Sequence, residues 1–406
     1  MTAELRQVGL ADLAPSAERP DVLVAGAGPA GAVAAGSLAG AGLRVLLVDR
    51  AAFPRVKVCG EALAHGARRV LERLGLWDEI ARMGHAVGRA RAIAPSGRAV
   101  SVPGPFVTLS RARLDARLAS WATDRGALFV RAAVKDVTVG EDGVRAELAG
   151  DGAMRTVCAR RLVLATGAAS ALGARLGLVE GVAQAVALRG HLETDAPVPD
   201  ELLGLFSHGL APGYGWVFPL GGRLCNVGAV AWDAAAGRRG APVSERLAAL
   251  AAHPAVRELF ARGRLVARPR AAQIRSGMRG LRAAARGPVL AVGDAAAAAL
   301  PLTDEGIGKA LETGMIAAEA IVAAGPDGDA AALYRERIER AVRPAYEGFL
   351  AAERWAARPR LVDLAAWCVT RSPRLARGLE RIVTEERDPR QVFSLRAVLD
   401  GLRRRR

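Results

Sequence analysis

Lysine is close to absent from this chain: among 57 basic residues only Lys57, Lys135 and Lys309 are lysines, and the rest are arginine. With 41 acidic residues the formal net charge is +16, but so uniform an arginine surplus looks like genome composition as much as selection. Aromatic residues make up only 4% of the chain and are not interleaved with the arginines. No nucleic-acid-binding motif accompanies the charge, which argues against a nucleic-acid partner. An anionic membrane surface or an acidic partner stays compatible with it. The sharpest basic cluster, Arg403 to Arg406, reads as a solvated tail.

Cysteine and histidine are also scarce. Cys59, Cys158, Cys225 and Cys368 lie far apart with no CxxC pair, which excludes a disulfide scaffold and a zinc site and fits reduced thiols in a cytoplasmic protein. The five histidines form no ligand cluster, so no metal is expected. No uninterrupted apolar stretch reaches the length of a spanning helix, and residues 1–17 mix acids and bases without the apolar core of a signal peptide. The expectation is a cytoplasmic protein, peripheral to a membrane at most.

What the chain does have is 406 residues, 51% of them hydrophobic, enough to bury a sizeable cofactor. Its organising stretch is Asp21 to Arg50: an apolar strand, DVLVAGAG, breaks into a glycine turn, runs into an alanine-rich helix and returns as a second strand, LRVLLVDR. Gly26, Gly28 and Gly31 have the spacing of a dinucleotide-binding turn. One glycine turns the chain sharply, one lets backbone meet a pyrophosphate, and one packs helix on strand. The helix N-terminus presents free N–H groups to phosphate. Asp49, closing the second strand, can accept hydrogen bonds from an adenosine ribose.

Further along, AAFPRVKVCGEAL reads as an irregular loop returning towards the ligand. A helical segment follows around Ala62 to Leu74, then short strands between Arg89 and Val107 and a helix from Leu109 to Gly126. Residues 127–164 read as a meander ending in LATG, followed by Ala168, Ala169 and Ser170. Between about 180 and 270 short strands and glycine turns suggest an inserted sheet domain, with helical sequence from Val243 to Phe260 interrupted at Pro254. PGYGWVFPLGGRLCNVGAVAW has hairpin chemistry around Gly221-Gly222, and Tyr214, Trp216 and Phe218 share a face by parity. Parallel-sheet character returns at Val289 to Val292, ending in Gly293-Asp294 and leading to a small-residue helix from about Gly306. Residues from about 331 are amphipathic helices that should cover the sheet.

Two distant glycine-bearing turns are explained by one ligand. If the first holds an ADP moiety, the second can hold the other end of the same cofactor, and FAD fits best. Asp294 could accept from ribityl hydroxyls, and N–H groups at Gly306 to Gly308 could meet the flavin carbonyl edge.

GAGPAG, RARLD, LATGAAS, PGYGWVFP followed by NVG, and GDAA with PLTDEGI stand in the order seen in a known family. The chain resembles the FAD-dependent geranylgeranyl reductase family, within the hydroxybenzoate-hydroxylase-like flavoproteins, from about Asp21 to Glu319 and more weakly beyond. The Trp-x-Trp-x-Ile-Pro pattern of tryptophan halogenases is absent. The resemblance implies an α/β fold: a Rossmann-like, GR2-type FAD-binding domain with an inserted antiparallel-sheet substrate domain and a C-terminal helical segment. The expected division is a tail at 1–17, the FAD-binding domain at 18–84, 106–178 and 271–330, the substrate domain at 85–105 and 179–270, and helices at 331–406.

Cofactor contacts are then expected from Gly26, Gly28, Ala30, Gly31, Asp49, Arg50, Cys59, Gly60, Arg111, Gly167, Gly293, Asp294, Pro301, Glu305, Gly306 and Ile307. By the same resemblance Arg111 reaches the FAD phosphate or ribose, Pro301 to Ile307 the isoalloxazine, and KVCGEAL puts Cys59 and Glu61 on the substrate side. Asp304 stands where the family usually has glycine. A left-handed backbone tolerates Asp better than most residues, and its buried carboxylate could serve as a local acid or base. Cys59, Tyr214, Trp216 and Asp304 are the catalytic candidates.

The reaction class stays open between three readings. The first is hydride transfer from flavin N5 to a C=C bond of an isoprenoid or other apolar, lipid-like substrate. The second is a monooxygenase or tailoring oxidase, halogenase-like reactions included, acting through a flavin hydroperoxide. The third is a flavin-binding interaction protein without turnover. No separate nicotinamide-binding unit is legible, so an external donor is expected: NAD(P)H, ferredoxin or a flavin reductase.

Overall fold

A computed structural model describes residues 5–169, 171–232, 242–391, 393, 394 and 399; Ser170 and the Arg403 to Arg406 run lie outside them. Two large sheets organise the chain. The first has seven strands in the order Gln7–Val8, Leu128–Arg131, Val45–Asp49, Val22–Ala25, Arg161–Leu164, Val289–Ala291 and Ala285–Arg286. All neighbours pair in parallel except the last two. Its central strands, VLVA, VLLVD and RLVL, are nearly continuous apolar runs because both faces are covered, one by helices and the other largely by a small antiparallel sheet.

The second sheet has nine strands. Ala185–Thr194, Leu224–Ala231, Gly213–Pro219, Leu202–Leu205, His85–Ile93 and Ala99–Thr108 form its body. The Gly213–Pro219 and Leu224–Ala231 strands are the expected hairpin, turning at Gly221 and Gly222. A three-stranded antiparallel sheet, Ala133–Gly140, Gly143–Gly150 and Ala153–Ala159, packs beside the first.

Three expectations need correction. The stretch 127–164 is not one meander: Leu128–Arg131 and Arg161–Leu164 are buried strands of the parallel sheet, and only the segment between them is antiparallel. Apolar runs of four residues carry no periodicity that separates the two arrangements. The strands expected as short between Arg89 and Val107 are nine and ten residues long. Pro103 and Pro105 are tolerated because Ala62–Leu63 pairs only with Val107 and Thr108, leaving the rest of that edge open. Residues 1–17, expected as a tail, carry Gln7–Val8 into the sheet beside Phe129 and Val130 and bury Leu10 and Leu13.

The helix Pro29–Gly40 is rich in alanine and glycine, and it is buried nearly all round. A Cβ on Gly36 would stand 2.3 Å from the Trp121 ring. On another side the helix Ile307–Ala324 approaches so closely that a Cβ on Gly314 would meet the Ala30 carbonyl oxygen at 2.2 Å. Four helices, Ala330–Ala341, Arg343–Ala356, Pro359–Arg371 and Pro373–Val383, follow it towards the C-terminus. Two buried tyrosines bolt them on: Tyr334 donates to the Ala291 carbonyl at 2.7 Å, and Tyr346 to that of Ala298. No helix among the described residues is long and apolar enough to cross a membrane.

Candidate active site

The glycine turn is built by backbone sterics. Gly26 has φ +109, and a Cβ there would lie 2.3 Å from the Ala165 oxygen. A Cβ on Gly31 would lie 1.8 Å from the Gly26 oxygen. Gly28 differs: the nearest atom to its missing Cβ is an Arg55 Nη at 3.3 Å, so the space before it is open to a ligand. Gly28 precedes a helix whose N-terminus has no side-chain cap, which leaves N–H groups free for phosphate. Asp49 braces the turn, accepting from the Ala27 N–H at 2.8 Å and the Ala51 N–H at 2.9 Å.

The second turn meets the first. A Cβ on Gly293 would stand 3.1 Å from that of Ala30. Asp294 lies between the Lys57 ammonium, 3.5 Å away, and the uncapped start of the helix Ile307–Ala324. Around both turns is a cavity of about 380 Å³, walled by Gly28, Ala30, Cys59, Gly60, Arg111, Gly167, Gly293 and Asp294 and by the segment Thr303 to Ile307. Tyr214, Trp216 and Phe218 line it from one strand. Leu379, Ile382, Val383 and Phe393 close it from the C-terminal region. Of the expected cofactor residues, Gly26, Gly31, Asp49, Arg50 and Pro301 do not line this cavity: the two glycines shape the turn, Arg50 is exposed, and Pro301 is buried.

The loop Cys59 to Glu61 is held by side chains from the other sheet. Glu61 is 2% exposed, with φ +66. Its carboxylate accepts from Arg189 at 3.0 Å, Asn226 at 2.9 Å and the Arg111 N–H at 3.1 Å, and lies 2.8 Å from His191 Nε2. Burial pushes this carboxyl up, but the His191 hydrogen bond, the Arg189 charge and Asn226 outweigh it and leave it below the usual range. Arg189 and Asn226 also donate to the Cys59 carbonyl, at 3.1 and 2.8 Å. The Trp216 indole donates to Asn226 at 2.8 Å and lies across Gly228, where a Cβ would sit 2.2 Å from its ring. PGYGWVFP and NVG are therefore parts of one clamp. Arg189 and His191 escaped the sequence reading; the signal available was two polar residues on one face of the apolar strand AVALRGHLET.

Arg111 is buried and bonded twice to Asp115, at 2.7 and 2.8 Å, which also binds Arg55 at 3.1 Å. Asp304 has φ +51, the left-handed conformation expected of the residue in the family's glycine position. Its carboxylate accepts from the Trp232 indole at 2.8 Å while Oδ1 is buried without a partner, and burial pushes it up to about 7. Glu305 is also raised, by burial and then by the Glu385 charge. The Tyr214 hydroxyl donates to the Thr303 carbonyl at 2.6 Å, and burial, with Asp304 nearby, raises it well above its ordinary value. Cys59 Sγ accepts from the Glu61 N–H at 3.3 Å.

Two helix N-termini without side-chain caps, an open space before Gly28 and an unpartnered buried Arg55 Nε fit one long anionic cofactor with a polar ring system. With the parallel sheet they define an FAD-dependent oxidoreductase. The comparisons agree. Residues 19–335 match the model of the FAD binding domain family. A menaquinone reductase of Mycobacterium tuberculosis is 37% identical over 324 residues, covering 74% of this chain and 76% of its own. Digeranylgeranylglycerophospholipid reductase 2 of Methanopyrus kandleri is 30% identical over 335 residues, covering 79% and 81%. A geranylgeranyl bacteriochlorophyll reductase-like structure from Thermoplasma acidophilum superposes with TM-score 0.75 at 22% identity, covering 95% and 96% of the two chains. A flavin-dependent brominase shares the fold at TM-score 0.76 and 20% identity. The chain belongs to the FAD-binding geranylgeranyl reductase family.

Proposed function

We propose that this protein reduces a C=C bond in an isoprenoid-bearing, apolar substrate. The observation that carries the reading is the cavity itself: the cradles for both ends of FAD open directly onto the aromatic face of Tyr214, Trp216 and Phe218 and the apolar residues Leu379, Ile382 and Val383. The reductase activities of its relatives, on menaquinone and on a geranylgeranylated lipid, support it.

When bound, FAD supplies the two-electron chemistry of hydride delivery. Gly28, Ala30 and the first helix N-terminus would hold the pyrophosphate, Asp294 the ribityl chain, and Gly306 with Ile307 the ring. Arg111, locked by Asp115, keeps a fixed positive charge beside Cys59. Trp216 and Phe218 exclude water from the reacting bond, and Cys59 shapes the floor on their side. Asp304 is the proton holder: burial raises its carboxyl to about 7, which brings its acid and base forms within reach of each other near neutrality, and the residue lines the cavity while its Oδ1 is buried without a partner. Tyr214 is committed to the Thr303 carbonyl and serves as wall. Electrons arrive from an external donor, NAD(P)H, ferredoxin or a flavin reductase, and the substrate from a lipid phase.

The test is product mass after photoreduction of the bound flavin, with and without oxygen. A polyprenyl substrate that gains two hydrogens under anaerobiosis supports the reductase. Gain of one oxygen atom, in air only, overturns it in favour of a monooxygenase.

A further inference from the structure

The C-terminal helices Pro359–Arg371 and Pro373–Val383 carry five arginines and two carboxylates. On the first, Arg360, Leu364, Trp367 and Arg371 fall on one stripe at helical spacing, with both arginines exposed and the apolar pair half-buried. Leu361, Val362 and Ala365 are half-buried too, so this helix buries fully only Ala366, Cys368 and Val369. The Arg371 guanidinium lies 4.4 Å from the centre of the Trp367 ring, so cation and aromatic form one unit. On the second helix Arg374, Arg377 and Arg381 form an exposed stripe. Among the described residues no carboxylate lies within ion-pair distance of Arg358, Arg360, Arg371, Arg374 or Arg377, and Arg381 pairs only with Glu386, at 3.4 Å. Of the carboxylates on the two helices, Asp363 is turned to the Ser96 N–H at 2.7 Å, which leaves Glu380 alone against the arginines.

Arg44 with Asp21 and Arg340 with Glu336 show the paired arrangement that these arginines, Arg381 apart, lack. Single arginines such as Arg113 and Arg145 are also exposed without an ion pair among the described residues, but here the unpaired cations recur at helical spacing on two consecutive helices. Unpaired cations at the ends of a stripe that holds Leu364 and Trp367, both partly buried against the core, match an anionic interface: guanidinium groups meet headgroup phosphates while their stems and the accessible part of the indole lie towards the acyl boundary. An acidic protein would use the charge but not the apolar strip between the stripe's ends. The opposite face of the second helix supplies Leu379, Ile382 and Val383 to the cavity wall. A surface docked here would stand one helix away from the substrate space.

We propose that the helices Pro359–Arg371 and Pro373–Val383 form a docking face for an anionic phospholipid bilayer, from which the apolar substrate enters. The second half rests on the reductase reading; the first does not. The test is flotation of the FAD-loaded protein with extruded vesicles of phosphatidylcholine alone or mixed with phosphatidylglycerol. Binding is expected to the mixed vesicles, weakening as salt rises, and not to phosphatidylcholine alone. Combined Arg360→Glu, Arg374→Glu and Arg377→Glu should weaken it about a hundredfold or more, since each cation near an anionic surface contributes roughly fivefold. The same reversal at Arg113 and Arg145, exposed elsewhere, should leave it unchanged.

Equal binding to both vesicle types, binding that survives the triple reversal, or no binding at all overturns the proposal. Turnover of a detergent-dispersed polyprenyl substrate separates it from the reading beneath. The triple variant should match the parent there, and absence of turnover in the parent would overturn the reductase reading while vesicle binding still decides the docking face.

Discussion

The glycine turn at Gly26 to Gly31 and the loop at Cys59 to Glu61 face the same cavity but are held by opposite means. The first is made of backbone: missing side chains let strand, helix and ligand approach, and its brace, Asp49, lies on the neighbouring strand. The second is made of side chains, a buried carboxylate gripped by Arg189, His191 and Asn226 from the other sheet. A backbone-built site is broken by adding atoms, and a side-chain-built one by removing them.

The largest effect should come from adding a Cβ where the turn has no room. Gly31→Ala sets a methyl against the Gly26 oxygen and is expected to abolish both folding and flavin content. Gly28→Val, where only the Arg55 tip stands near, should fold with an unchanged far-ultraviolet circular dichroism spectrum and purify without flavin absorbance. Full flavin content in Gly28→Val would mean the turn does not receive the pyrophosphate.

Removing the carboxylate from the other loop comes next. Glu61→Ala leaves Arg189 buried without its partner and should cost about 3–5 kcal/mol in the urea unfolding free energy. A loss under about 1 kcal/mol would show that the clamp carries little of the loop's stability.

Asp304 combines the two modes, a left-handed backbone carrying a chemically useful side chain. Asp304→Asn should retain FAD, lower turnover by about 10²–10⁴-fold, and remove the decline in turnover as pH rises through about 7. The stability sign follows from the raised value. Between the ordinary carboxyl pKa of 3.8 and about 7 the folded state holds a proton that the unfolded state has released, so stability falls as pH rises through that window. The Asn variant should lose that slope, read from urea midpoints at pH 5 and pH 7.5.

The smallest effect belongs to Cys59, whose backbone does more than its thiol: Arg189 and Asn226 bind its carbonyl. Cys59→Ala should keep FAD and stability and lower turnover only modestly. Complete loss of turnover with FAD retained would assign the thiol to the chemistry.

The same contrast explains what could be read in advance. The glycine turn, its two strands and the later Gly293-Asp294 turn were legible because their determinants are local in sequence. The aromatic face of Tyr214, Trp216 and Phe218 followed from strand parity alone, and the sheet hairpin from Gly221-Gly222. The Glu61 clamp was not legible as a clamp, because its side-chain partners lie 128 and 165 residues away and on the other sheet. Nor could Arg55 and Lys57 be placed beside Gly28 and Asp294 from an irregular loop whose path is set by the cavity it borders. The strand Gln7–Val8 was invisible because two residues carry no period, and pairing with the sheet edge alone defines it.

The helix Pro29–Gly40 has a consequence for how this protein tolerates change. Written mostly in alanine and glycine, it resembles filler, a segment where drift between small residues would go unnoticed. Yet Trp121 lies across Gly36 and the neighbouring helix presses on Ala30, so a larger side chain at either contact displaces a packed helix. In a saturation mutagenesis map this apparently low-information segment should be among the least permissive of the chain, more so than the charged surface whose composition first draws the eye.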